Sequence, residues 1–344
     1  MIEPPGADEV VRDGERTVGM GRTPEKMPVI TIGLVTWNSE RDLPVCLDGL
    51  ADQAYSRIDL VVVDNGSTDR SLELVRARCP EAVILSNARN EGYARAHNQA
   101  IAASQGEYCL ALNPDVRLLP GYVERLVESL QRHPESGAAV GKLWLSTEQE
   151  PRILDSSGLF IDRRRRQYLR GHGQPDHGQY DVPQEVFGAD GAACLYRRAM
   201  LEDVKVEGQY FDEQFFSYVE DVDLAWRARL LAWRCWYEPG AQALHDRTFR
   251  PGRRRTMAPQ YRRLAVKNRY LMLLKNEGCE EWRRDWWRIL GYDVAIWAYI
   301  LLFEQSSLGA LALLRQQWDS GRAWRREIWR RVRCSPEERA LWFK

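Results

Sequence analysis

Four short apolar runs open the ordered part of the chain: VITIGLVTW (29–37), IDLVVVDN (58–65), EAVILSN (81–87) and EYCLALN (107–113). Each is short, apolar and suited to a strand, and helix-compatible stretches of ten or more residues separate them. The alternation predicts β-α-β-α-β-α-β, an α/β fold with a mostly parallel sheet flanked by helices. Ligands of such sheets bind beyond the carboxyl ends of the strands, where the polar residues gather. These are Thr36, Asn38 and Glu40 after the first strand, Asp64 and Asn65 after the second, Asn90 near the third, and Asn113 and Asp115 after the fourth. Pro114 cannot donate to a strand ladder, so the fourth run stops there and leaves Asp115 at its end.

The turn after the first strand, VTWNSERDL, has no glycine, which excludes the dinucleotide fingerprint, and no GxxxxGK[ST] cradles a phosphate. A nucleotide base can instead be held by side-chain hydrogen bonds from Asp64 and the Thr36–Asn38 region, with Trp37 as a stacking face. The diphosphate then needs a metal, and Asp115 is placed to hold it. Mg²⁺ or Mn²⁺ suits one or two protein carboxylates, with the remaining ligands from water and phosphate. The blander readings are that Ser67 or Thr68 caps a helix with Asp69 facing its dipole, and that Asp115 caps a turn.

A second constellation is SYVEDVDLAWR (217–227). Ser217 and Glu220 have capping-box spacing, so a helix is expected to start here with Asp221 in its first turn. Three acids at 220, 221 and 223 exceed what a cap requires, and the helix dipole is expected to keep them ionised for general-base work. VFGADGAACLYRR (186–198) reads either as a floor facing a sugar, with Asp190 touching donor or acceptor, or as a plain small-residue strand.

Composition adds the remainder. The 344 residues carry no net charge, yet 17 Lys or Arg stand against 10 Asp or Glu over 260–344, a balance of +7. Residues 1–27 lack apolar periodicity and read as a mobile leader. Seven cysteines without a CxxC pair, and no apolar stretch after the start, predict neither a disulfide framework nor a signal peptide, so a reducing cytoplasm is expected. IDRRRRQYLRGHG (161–173) reads as a solvated loop or, if it lies near a cleft, as a run that meets anionic substrate. Eight of the thirteen tryptophans fall between 282 and 342, interleaved with arginine, and Trp324, Ile328 and Val332 form an apolar stripe that suits an anionic membrane surface. VAIWAYILLF (294–303) is too short to span a bilayer and reads as a core helix, a homodimer face or a re-entrant segment. Neutral net charge and the lack of a binding-fold motif argue against nucleic acid.

TIGLVTWNSERDL, VVVDNGSTDRS, NEGYARAHNQAI, LNPDV and FDEQFFSYVEDVDLAWRARLLAW occur in an order and spacing that resemble the inverting family 2 glycosyltransferases, most closely the bacterial rhamnosyltransferase type, over about residues 28–250. The resemblance implies a GT-A fold, Rossmann-like, over 28–256, with a C-terminal helical region over 257–344. It implies a nucleotide pocket of Thr36, Trp37, Asn38, Glu40, Asp64, Asn90 and Gly92. Asp115 would be the surviving acid of the family's Asp-x-Asp motif, with Asn113 in place of the first acid on the sugar side. His245 matches a position where some relatives supply an imidazole to the metal; a structural histidine is the alternative. Asp221 would be the base, with Glu220 next in line and also near donor or acceptor. The expected activity is transfer of a sugar, rhamnose in particular, from a dTDP- or UDP-linked donor to a saccharide or lipid-linked saccharide at the inner face of the membrane. The alternative is a nucleotide-sugar-binding or membrane-scaffold protein on an inactive core.

Overall fold

The computed structural model describes residues 27–146, 150–247 and 257–344. The expected leader, but for Met27, and the expected domain end at 256 lie outside the described residues. The four apolar runs are strands β1 (Ile30–Thr36), β2 (Ile58–Asp64), β3 (Val83–Ser86) and β4 (Tyr108–Leu112), linked through α1 (Leu43–Ala51), α2 (Ser71–Arg78) and α3 (Tyr93–Ala102). They pair in parallel in the order β4-β1-β2-β3, with Thr36 beside Asp64 and Leu34 beside Leu112. The chain therefore leaves β1 toward β2 and later returns to its other side, which opens a crevice at the carboxyl ends of β1 and β4.

Beyond β4 the sheet becomes mixed. β5 (Val116–Leu118), α4 (Tyr122–Arg132), β6 (Ser136–Leu145) and β7 (Leu154–Ser156) come next, followed by the hairpin β8 (Leu159–Ile161) and β9 (Gln167–Leu169). The sheet region closes with β10 (Gln184–Val186), β11 (Ala193–Arg197), α5 (Arg198–Val204), α6 (Glu220–Leu230) and β12 (Arg234–His245). β11 inserts antiparallel between β4 and β6, and β12 runs parallel to β6 while pairing antiparallel with β5. Every residue of β6 is buried, as expected of a strand covered on both faces.

Five helices complete the chain: α7 (Pro259–Asn276), α8 (Cys279–Phe303), α9 (Ala310–Gln316), α10 (Trp318–Arg330) and α11 (Pro336–Ala340). Two apolar cores result. One surrounds the sheet, and the second joins β8 and α6 to α7, α10 and the terminal Phe343. Helix α6 stands between them, giving Leu224, Ala228 and, at its C-cap, Leu231 to the first and Val222, Trp226 and Leu230 to the second.

Two expectations are corrected here. The arginine run is not a solvated loop throughout. Arg165 is fully buried, donating to both oxygens of Glu277 at 2.7 Å and to Asp285 at 3.0 Å, and Arg163 also binds Asp285. Isolated guanidinium burial is costly, so the acids of α7–α8 make this geometry possible. The stripe of Trp324 and Ile328 does not face outward either, because both are buried against α6 and α7 in the second core. The exposed apolar face belongs instead to α8.

Candidate functional site

The loops after β1 and β2 brace each other. Ser67 Oγ accepts from Asn38 N (2.9 Å), and Asn38 Oδ1 accepts from Thr68 N (2.8 Å). Asp69 accepts from Glu40 N and Ser71 N, each at 3.0 Å, and Glu40 Oε2 accepts from Arg70 N (3.2 Å). Ser67 and Thr68 thus tie loop to loop instead of capping a helix; α2 starts at Ser71 with no side-chain cap. Asp64 lies almost fully buried beneath this brace, accepting from Ser67 N at 3.2 Å. The groups left on this wall are Thr36 Oγ1, buried without a hydrogen-bond partner, and the Trp37 ring, 45% exposed.

Asn90 and Gly92 form the entry to α3. Asn90 Oδ1 accepts from Gly92 N at 2.9 Å, and Gly92 has φ +88° and ψ 169°, a region essentially reserved for glycine. A Cβ there would lie 2.5 Å from the Phe216 carbonyl oxygen, so only hydrogen lets the two segments touch.

Sheet register brings Asp115 and His245 together. Val116 of β5 pairs with His245 of β12, and Asp246 N donates to the Asp115 carbonyl at 2.9 Å. His245 Nε2 then lies 3.3 Å from Asp115 Oδ1, outside hydrogen-bond geometry, while its Nδ1 is 2.7 Å from Asp155 Oδ2. Asp155 also accepts from Arg247 Nε at 2.7 Å and Nη2 at 3.0 Å. Burial alone would lower the imidazole pKa, but the carboxylates of Asp115 and Asp155 beside it outweigh burial and hold His245 up at about 9. Burial likewise opposes ionisation of Asp155, yet His172, His245 and Arg247 keep its carboxyl well below the usual range. Asn113 anchors the same corner through its backbone, donating to Ala192 O at 2.8 Å.

The acid cluster divides into three roles. Asp223 is fully buried and accepts from Arg227 Nε (2.8 Å) and Asn276 Nδ2 (2.7 Å), so it braces the fold. Asp221 accepts from Gly191 N at 3.1 Å and Val222 N at 2.8 Å. Burial and neighbouring Asp190 raise its pKa to about 6, against the pull of those two N–H groups and of Arg247. Glu220 rises well above the usual carboxylate range through burial and the adjacent Asp221, and its Oε2 has no partner. Asp190 Oδ1 accepts from Ala192 N at 3.1 Å, while its buried Oδ2 is unpartnered. Tyr93 OH donates to Gly191 O at 2.6 Å, so the residue whose N–H holds Asp221 is itself fixed through its carbonyl.

The expected capping box is absent. Val219 is the N-cap in left-handed conformation with no side-chain bond, because Ser217 lies in a contorted approach and not in an extended cap. The expected dipole effect is also overturned: burial outweighs it and pushes Glu220 and Asp221 upward. Asp155, Arg247 and Tyr93 were missed by sequence reasoning. The one available signal for Asp155 was an isolated acid inside the apolar and small-residue run ILDSS, which burial obliges to find cations.

The profile of the family described as "Glycosyl transferase family 2" matches residues 31–205. The chain belongs to that family. It is 28% identical over 248 residues to the N-acetylglucosaminyl-diphospho-decaprenol L-rhamnosyltransferase of Mycobacterium tuberculosis, covering 65% of this chain and 78% of the relative. Among solved structures, TarS 1–349 of S. aureus in complex with UDP-GlcNAc superposes with TM-score 0.51 at 17% identity, covering 88% of this chain and 89% of that one. GalNAc-T7 with UDP, GalNAc and Mn²⁺ superposes with TM-score 0.58 at 11% identity, covering 73% of this chain and 48% of that one. These likenesses share the GT-A fold: a mostly parallel sheet flanked by helices, here followed by α7–α11.

Proposed function

We propose that the chain is an inverting glycosyltransferase that moves a sugar, rhamnose in this reading, from a dTDP- or UDP-linked donor to a lipid-linked saccharide. The observation that carries it is Asp221, held by two backbone N–H groups at the crevice with a pKa of about 6. Such a carboxylate is ionised at neutral pH and still basic enough to take a proton. The acceptor hydroxyl attacks the anomeric carbon opposite the diphosphate; the new O–C bond forms, the bond to diphosphate breaks, and the hydroxyl proton passes to Asp221. Glu220, whose proton is held more tightly than an ordinary carboxyl's by burial and the adjacent Asp221, faces the same space, and the free Asp190 Oδ2 can accept from a sugar hydroxyl. Thr36, Trp37, Asp64 and the Asn90–Gly92 turn line the base, with Asn38 and Glu40 fixing their wall; Asn113 borders the sugar.

The corner of Asp115 and His245 fits Mg²⁺ or Mn²⁺. Asp115 Oδ1 is a buried hard oxygen with no hydrogen-bond partner, and Asp155 orients the imidazole, which must give up its proton to ligate, as an outer carboxylate does at metal sites. The ion would supply charge neutralisation for the departing diphosphate. Among the described residues no group of three or more His, Cys, Asp or Glu could hold a metal, so phosphate and water would complete the shell. Arg247 adds a fixed positive charge beside it.

We place the acceptor side at an anionic membrane surface, through α8. Its outer face carries exposed Trp282, Trp286, Leu290, Val294 and Leu301. It is the one helix among the described residues long and apolar enough to cross a bilayer. Its inner face is tied along the domain by Glu281–Arg339, Asp285–Arg165 and Asp293–Arg269 pairs, so it lies along a surface and does not span.

Asp221→Asn is expected to abolish transfer from dTDP-rhamnose to an N-acetylglucosaminyl-diphospho-polyprenol, a loss of about 10²–10⁴-fold, with donor affinity kept. More than about a tenth of the wild-type rate would place the base elsewhere.

A further inference from the structure

The segment leading into Asp221 is contorted without glycine. Phe216 has φ +64° and ψ −62°, closed by Ser217 N donating to Phe215 O at 2.7 Å, which makes it a γ-turn of the rarer, strained hand. Tyr218 and Val219 follow at φ +71° and +74°, the second a β-branched residue for which positive φ is an outlier. Backbone of this kind persists only where the surroundings over-determine it.

What holds it is α7. The Asn268 side-chain amide shares its two hydrogens among Phe215 O (3.0 Å), Ser217 O (2.8 Å) and Tyr218 O (2.6 Å). Three carbonyls around one nitrogen fix the amide orientation, since the flipped group would set oxygen against oxygen. The same helix face contributes Lys267 to Gln214 O, Lys275 to the Asp212 carboxylate and Asn276 to Asp223. From the other side, Gly92 seats the Phe216 carbonyl, and Ala94 N approaches it at 3.4 Å. The strained segment is thus clamped between the entry to α3, on the nucleotide side, and the C-terminal helices.

We propose that Asn268 is a positioning residue for Asp221: the C-terminal helical region completes the active site by holding residues 215–219 in the strained path that presents the carboxylate to Gly191. This rests on the reading of Asp221 as base, and the experiment separates the two. Asn268→Asp keeps the shape of the side chain and removes its donors. In full-length protein, amide hydrogen exchange should then quicken at 217–222 and also at Gly191, whose N–H is bonded to Asp221 although it lies in another element. Transfer of dTDP-rhamnose should fall about ten- to a hundred-fold in kcat, with the donor dissociation constant within about two-fold of wild type. Adding Val219→Gly, which accepts positive φ without strain, should restore part of both. Unchanged exchange at Gly191, or a loss of activity that Val219→Gly does not relieve, overturns the proposal. Asp221→Ala assayed alongside that stays active would overturn the base assignment alone, since the exchange at Gly191 still reports where residue 221 sits.

Discussion

Asp221 illustrates what burial does to a single carboxylate. Its pKa is raised from 3.8 to about 6, so the folded state binds more protons than the unfolded chain between those values. Stability is therefore fully present below pH 4 and is lost as pH rises through 6. Asp221→Asn should be inactive yet more resistant to denaturant at pH 8, by up to about 3 kcal/mol less about 1 for a lost N–H contact. The gain should vanish near pH 4, as urea midpoints at both pH values would record. In the wild type, kcat/KM should fall as pH drops through about 6. Asp115→Ala addresses the other corner: it should remove the Mn²⁺-dependent part of nucleotide binding, and chelator should mimic it. Calorimetric titration giving equal affinity with and without Mn²⁺ would leave Asp115 only a turn role. The positions of Asp115 after β4 and Asp221 at the start of α6 were legible because a proline break and an excess of acids are local signals. Asp155 was not, since its imidazole partner lies 90 residues away in sequence.

At the scale of elements, strands β1–β4 could be read because apolar runs bounded by polar turns carry their own period. The roles of loops could not, because they depend on what the fold brings opposite. A row of arginines looks solvated until Glu277 and Asp285 arrive from later helices. Ser217 and Glu220 have cap spacing, yet the approach to α6 is shaped by Gly92 and Asn268. Gly92→Ala should separate strain from collision. Gly208 has φ +80° with open space around its Cβ direction, whereas Gly92 has φ +88° and a backbone oxygen at 2.5 Å. Gly208→Ala should cost only the strain, about 1 kcal/mol, and Gly92→Ala clearly more, because a carbonyl cannot step aside as a flexible side chain does. Thermal unfolding of the two variants measures the difference.

For the whole molecule, the C-terminal helices have an inner and an outer task. Trp324 and Ile328 face inward, sharing a core with Trp226 of the helix that carries Asp221, which explains why a stripe that looked amphipathic in sequence is unavailable to lipid. In the proposed reading the outer task falls to α8. Its exposed tryptophans cluster near its start with exposed Arg283, and its far end exposes Leu301, Leu302 and Phe303, so tryptophan and cationic groups sit together at one end and uncharged apolar ones at the other. Aromatic rings prefer the headgroup level, and each arginine near an anionic leaflet contributes about 1 kcal/mol that salt screens within a Debye length of about 8–10 Å. Buried apolar area does not respond to salt in that way. The contact should therefore weaken but survive at high ionic strength. Full-length protein should float with liposomes containing anionic lipid at low salt and partly at high salt, and Trp286→Asp with Leu290→Asp should abolish flotation without changing nucleotide binding. Protein that stays at the bottom of the gradient in every condition, while running as a dimer on sizing, would give the α8 face to a second copy of the chain and leave the membrane without a role.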